Sequence, residues 1–113
     1  MRLAEIIERL SLDVLTLSLD AEVEVTGGYC GDLLSHALAS AAPGDLWITI
    51  QHHANVVAVA QVVGLSAVLM TDGKRPDEAS LERAQAAGIR LLGSSESSFE
   101  ISGRLHRLLA DER

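Results

Sequence analysis

The chain has 113 residues, 48% of them hydrophobic and 22% charged, which suffices for one compact core, is too short for two, and excludes a disordered polymer. Nine Lys and Arg against 16 Asp and Glu give a net charge of −7, so nucleic acid and anionic membranes are poor partners; only Lys74-Arg75 and the Arg104/Arg107 pair offer local basic density. With one Trp, one Tyr and one Phe the core must be aliphatic and bases find no stacking platform, while the lone Cys30 rules out an internal disulfide and a multi-Cys zinc site.

Acidic residues follow the first Met at once, with no continuous apolar signal region, and no stretch approaches the roughly eighteen apolar residues of a membrane span. A soluble, cytoplasmic domain covering residues 1–113 is therefore expected. In chain order, Leu3, Ile6, Ile7 and Leu10 recur at helical spacing and predict an amphipathic helix with Glu5, Glu8 and Arg9 outward. Residues 14–17 predict a strand and residues 22–25 a second, alternating one. A short polar link at 18–21 would make the two a hairpin or a sheet edge. Gly27, Gly28 and Gly31 predict a turn around Tyr29 and Cys30. Asp32 is placed to cap a helix whose stripe is Leu34, Ala37, Leu38 and Ala41, and Pro43-Gly44-Asp45 ends it.

From there the pattern is regular. Residues 46–50 predict a strand, 53–63 a helix and 67–70 a buried strand. A loop spans 71–76, and a helix then carries Asp77 and Glu78 in its first turn and closes at Gly88. Residues 89–92 predict a further strand. Ser97 with Glu100 forms a capping box for a last helix with the stripe Ile101, Leu105, Leu108 and Leu109. Strands alternating with helices predict an α/β fold: one domain, a mostly parallel sheet, helices on its faces. The helix over 53–63 is apolar around most of its circumference. Either the fold buries it on every side or its second face meets a twin copy in a homodimer.

Three clusters are candidates for binding. The turn Gly27, Gly28, Gly31 and Asp32 leads from strand to helix, where backbone amides are able to cradle an anion, although it is neither a GxGxxG nor a Walker A loop. The run Gln51-His52-His53-Ala54-Asn55 follows Thr49 at the carboxyl end of a strand, where open α/β sheets bind ligands. Thr71, Asp72, Lys74 and Arg75 border the same rim, and the two cations suit a phosphate or carboxylate. His52 and His53 are also conceivable metal ligands, with Cys30, His36 or Asp72 completing the set, so a small metal-binding protein or enzyme is the alternative. No catalytic triad or carboxylate pair stands out, so no catalytic residue and no cofactor is assigned.

The order of Gly31-Asp32, Pro43-Gly44-Asp45-Leu46-Trp47-Ile48-Thr49, Met70-Thr71-Asp72-Gly73, Pro76-Asp77, Ala87-Gly88-Ile89 and Ser97-Ser98-Phe99-Glu100 resembles a stand-alone DRTGG domain over nearly the whole chain. Of the name-giving run, Thr26-Gly27-Gly28 is present, preceded by Glu24 and Val25 in place of Asp and Arg. The resemblance implies the fold of the HPr kinase N-terminal domain, self-association, and a regulatory or architectural role such as these modules hold beside CBS domains in pyrophosphatases. Single-domain versions are found near iron-only hydrogenase genes, implying a partner in hydrogen or electron-transfer metabolism. Where many members carry a Gly-Asp-Arg turn suited to phosphate, this chain has Gln51, His52 and His53, so different contacts are implied. The expectation is a non-catalytic, homodimeric regulatory or scaffold domain. It would sense a small anionic, nucleotide-like ligand or contact a protein through Gly27, Gly28, Gly31, Asp32, Thr49, Gln51, His52, His53, Asn55, Thr71, Asp72 and Lys74.

Overall fold

A computed structural model describes residues 1–17 and 20–112. Its elements are α1 (Leu3–Leu10), β1 (Asp13–Val14), β2 (Gly27–Cys30), α2 (Leu34–Ser40), β3 (Asp45–Thr49), α3 (Asn55–Val63), β4 (Ala67–Met70), α4 (Glu78–Ala87), β5 (Leu91–Gly93) and α5 (Ser98–Asp111). The strands form one sheet in the order β1-β5-β4-β3-β2, parallel except for β1, which runs antiparallel to β5. Because β2 to β5 are laid down in one direction, successive right-handed crossovers put α2, α3 and α4 on one face. The other face is covered by α1 and α5.

Side-chain alternation along the strands divides the core in two. Leu46, Ile48, Ala67, Leu69 and Leu92 pack with Leu3, Ile6, Leu10, Ile101 and Leu105 under α1 and α5. Trp47, Val68, Met70 and Leu91 pack with Ala37, Val56, Val57, Val59, Ala60 and Ala84 on the opposite side. Strands buried on both faces read as the continuous apolar runs that marked β3 and β4 in the sequence. Each fully buried Leu or Ile contributes about 1.5–3 kcal/mol. The expected caps are in place: Ser97 accepts from the Glu100 N–H at α5, Asp77 from the Ser80 N–H at α4, and Gly88 ends α4.

The first third of the chain differs from expectation. The predicted strand at 14–17 shrinks to β1, and the segment at 22–25 forms no strand of the sheet. Its backbone instead bonds back to the residues before and at the start of α1, with Leu3 N–H donating to Val23 O and Val25 N–H to Met1 O. No hairpin arises: β1 lies at one edge, and the next strand, β2, lies at the other. Of the polar link expected at 18–21, residues 18 and 19 lie outside the described residues.

The expected glycine turn is itself the strand β2. Gly27 pairs with Asp45 and Cys30 with Ile48, in register with β3. Gly28 faces α5 so closely that an added Cβ would stand 3.1 Å from Leu105 Cδ2, so the missing side chain lets the helix settle on the sheet edge. Asp32 caps nothing; the residue before α2 is Leu33, which has no side-chain hydrogen bond to the helix. The apolar α3 is buried through Val56, Val57, Val59 and Ala60, packed between the sheet, α2 and α4. Its outward face carries Asn55, Ala58, Gln61 and Val62, of which Val62 is 75% exposed.

Candidate functional site

The rim at the carboxyl ends of the strands is assembled by hydrogen bonds that engage Asp32, Thr49, Gln51 and Thr71. Asp32 Oδ1 accepts from both Thr49 Oγ1 and the Ile50 N–H, each at 3.0 Å. Thr49 Oγ1 accepts from the Gln51 N–H, and Gln51 Nε2 donates to Asp32 O at 2.7 Å. Asp32, Thr49 and Gln51 thus tie the end of β2 to the end of β3. The Gly31 amide donates to Ile48 O and its carbonyl accepts from the Trp47 indole at 2.8 Å, so Gly31 offers no amide to an anion.

Thr71 is fully buried, hydrogen-bonded to Thr49 O and to Ser98 Oγ. At β4 and β5 the chain leaves toward opposite faces of the sheet, the topology that opens a ligand crevice in other α/β folds. Here that crevice is closed by main-chain bonds, Asp72 N–H to Glu96 O and Gly73 N–H to Ser94 O, both 2.9 Å. Asp72 takes a left-handed conformation (φ 55°) to make this turn.

What remains free on the rim, among the described residues, is His52, His53, Asn55, Lys74 and the carboxylate of Asp72. The two imidazoles stack with centroids 4.9 Å apart, and His52 Nδ1 lies 3.1 Å from Ile50 O. Asp77 stands close by. The Ser80 backbone N–H and hydroxyl, and after them the charges of His53 and His52, hold its carboxyl below the ordinary carboxylate value. That acid opposes an anion at the histidine pair. Lys74 is exposed and forms no ion pair among the described residues.

Gly27 and Gly28 are not on this rim. They sit toward the amino end of the sheet, in a groove of about 410 Å³ between the edge strand β2 and α5. Its apolar walls are Ile48, Leu105 and Leu109, and its polar groups are Tyr29, Cys30, Asp45, Ser102 and His106. Past Cys30, Ser102 and His106 it continues into a more open concavity of about 790 Å³ bordered by Phe99, Arg104 and Arg107. Ser102 Oγ is shut off from solvent yet has no hydrogen-bond partner among the described residues, a costly arrangement. Burial, and then the nearby Cys30 and Asp32, push the Tyr29 phenol up.

Sequence reasoning passed over Ser102, His106 and Asp45. The first two lie four residues apart on the flank of the α5 stripe, a spacing that marks one helix face. That they border a cavity depends on β2 lying beneath α5.

The metal alternative is not assembled. Cys30 opens into the α5 groove, while His36 is engaged by the Tyr29 hydroxyl and Ser40 Oγ on α2. Among the described residues no three His, Cys, Asp or Glu converge to hold an ion.

No family model and no curated protein matches this chain. Among solved structures, the chain is similar to the CBS and DRTGG domains of the regulatory region of Clostridium perfringens pyrophosphatase, solved with its activator diadenosine tetraphosphate. The TM-score is 0.70 at 17% sequence identity, over 92% of this chain and 45% of that one. This chain therefore spans less than half of that regulatory region. The likeness is one of fold, and the fold is the one that the sequence resemblance implied.

Proposed function

We propose that this chain is a non-catalytic, homodimeric regulatory domain that takes a small anionic, nucleotide-like ligand in the groove between β2 and α5. The observation that carries this reading is the groove itself, large enough for a small molecule and lined by Ser102, whose hydroxyl has no hydrogen-bond partner among the described residues. The rim favoured by the sequence is a weaker candidate, since Asp32, Thr49, Gln51 and Thr71 are spent on one another and on the backbone. The regulatory role of the pyrophosphatase region with the same fold supports the assignment. The resemblance to stand-alone DRTGG domains adds a protein partner in hydrogen or electron-transfer metabolism, and the lone Cys30 suits a cytoplasmic location.

Catalysis is left out for a chemical reason. The serine that contacts a histidine, Ser40 with His36, has its imidazole oriented by the Tyr29 phenol and not by a carboxylate, on the exposed face of a short helix. Self-association is supported by β2, whose outer edge is unpaired in the sheet, beside Leu33 and Leu38, exposed at and just before α2.

Thermal melting against adenine nucleotides and acidic metabolites, with light scattering, tests the reading. A ligand at a hundred times its dissociation constant adds about 2.7 kcal/mol, a rise of several degrees for a domain of this size. A rise with one anion class, its recovery unchanged after incubation, and a dimeric mass are expected. Ser102→Ala should melt no lower than the parent, because no protein bond is lost, while its ligand-induced rise shrinks. A monomer that responds to no probe would overturn the proposal.

A further inference from the structure

We infer that the β2–α5 groove is polarised and selects a molecule with an uncharged, hydrogen-bond-donating body and a single anionic end, the size of a nucleoside monophosphate. This rests on the reading of the groove as a ligand site and adds the orientation of what it holds. At the amino end of β2 stands Asp45, whose Oδ2 accepts from the Ala42 N–H at 2.8 Å. Its Oδ1 faces Gly27, 2.7 Å from where a Cβ would be, and is bound by no donor among the described residues. That end presents an acceptor and suits hydroxyl or amino groups.

The opposite end, beyond Cys30, carries the guanidinium of Arg107. Arg104, His106 and Arg107 border the outer concavity together with one acid, Glu100. Arg104 is paired with Glu96, whereas Arg107 forms no hydrogen bond or ion pair among the described residues, so its guanidinium is available to a phosphate or carboxylate. The four residues of β2 separate the two ends by about 10 Å, at roughly 3.3 Å per residue. Between them Leu105 packs directly on Gly28, and the apolar lining of the groove is completed by Ile48 and Leu109. Ser102 lines both concavities where they meet.

The probes are AMP, adenosine and inorganic phosphate, with calorimetric titration for affinity and the reaction of Cys30 with a thiol reagent for location, since that exposed thiol sits where the two concavities meet. AMP should bind at least tenfold more tightly than adenosine or phosphate and slow thiol modification at least tenfold. Arg107→Glu, a change at an exposed position without partners, should weaken AMP at least tenfold and leave adenosine unchanged. Asp45→Asn should weaken AMP and adenosine alike and leave phosphate unchanged. If AMP binds and protects Cys30 but neither substitution matters, the groove is a ligand site and the polarity is wrong. AMP binding without protection of Cys30 would put the site elsewhere, and no binding of any probe, with unprotected Cys30, overturns both readings.

Discussion

Replacing Asp32 with Ala separates the two roles open to this residue. As a helix cap, which the sequence suggested, its loss would weaken α2 alone. In the structure its Oδ1 instead holds Thr49 Oγ1 and the Ile50 N–H at 3.0 Å each, across the ends of β2 and β3. Thr49 is fully buried and its hydroxyl loses a charged acceptor, at about 1 kcal/mol. The Ile50 N–H is exposed and re-hydrates, adding a few tenths, for a total of about 1–2 kcal/mol. Chemical denaturation followed by circular dichroism should show this loss, equivalent to a fall of about 4–8 °C in Tm. Thr49→Val removes the donor while keeping the shape. The pair Asp32→Ala with Thr49→Val should therefore cost less than the two single changes added, by about 0.5–1 kcal/mol. Strict additivity would refute the clamp, and Asp32→Asn, which keeps an oxygen acceptor, should lose less than Asp32→Ala.

Trp47→Phe should destabilise by about 2 kcal/mol, read by denaturant midpoint, because it leaves a void in a fully buried site and strips the Gly31 carbonyl of its indole donor; a loss below half a kcal/mol would contradict that packing. Asp77 titrates below its ordinary value of about 3.8 in the folded state, so its contribution is fully present above that value and is lost as pH falls through the depressed folded value. Asp77→Asn should accordingly flatten the acid limb of a stability-against-pH curve measured by thermal melting, and an unchanged acid limb would show that Asp77 is not held by Ser80.

Much of the fold is written locally. Residues 46–48 and 67–70 are unbroken apolar runs because both faces of those strands are buried, and the strands expected at 46–50 and 67–70 appear as β3 and β4 within a residue of those bounds. The helices α4 and α5 start and stop at residues whose side chains or backbone close their ends, Asp77 and Gly88, then Ser97, and capping is a property of a few neighbouring residues. The rim residues at the carboxyl ends of β3 and β4 were likewise found by position; Thr49 and Thr71 do lie together, joined by a main-chain bond.

Tertiary structure alone decided the rest. Three glycines in five residues read locally as a turn, yet 27–30 is a strand because β3 supplies its hydrogen bonds and α5 needs the space that Gly28 leaves. Asp32 has the right chemistry for a cap, but the ends of β3 reach it first. The circumference of α3 is apolar because α2, α4 and the sheet surround it, a fact about neighbours that no periodicity encodes. The groove is the clearest case: Gly28, Asp45 and Ser102 lie on three elements far apart in sequence. Local pattern determines which segments become helix or buried strand; which surfaces then meet, and which polar group is left without a partner, follows from long-range packing.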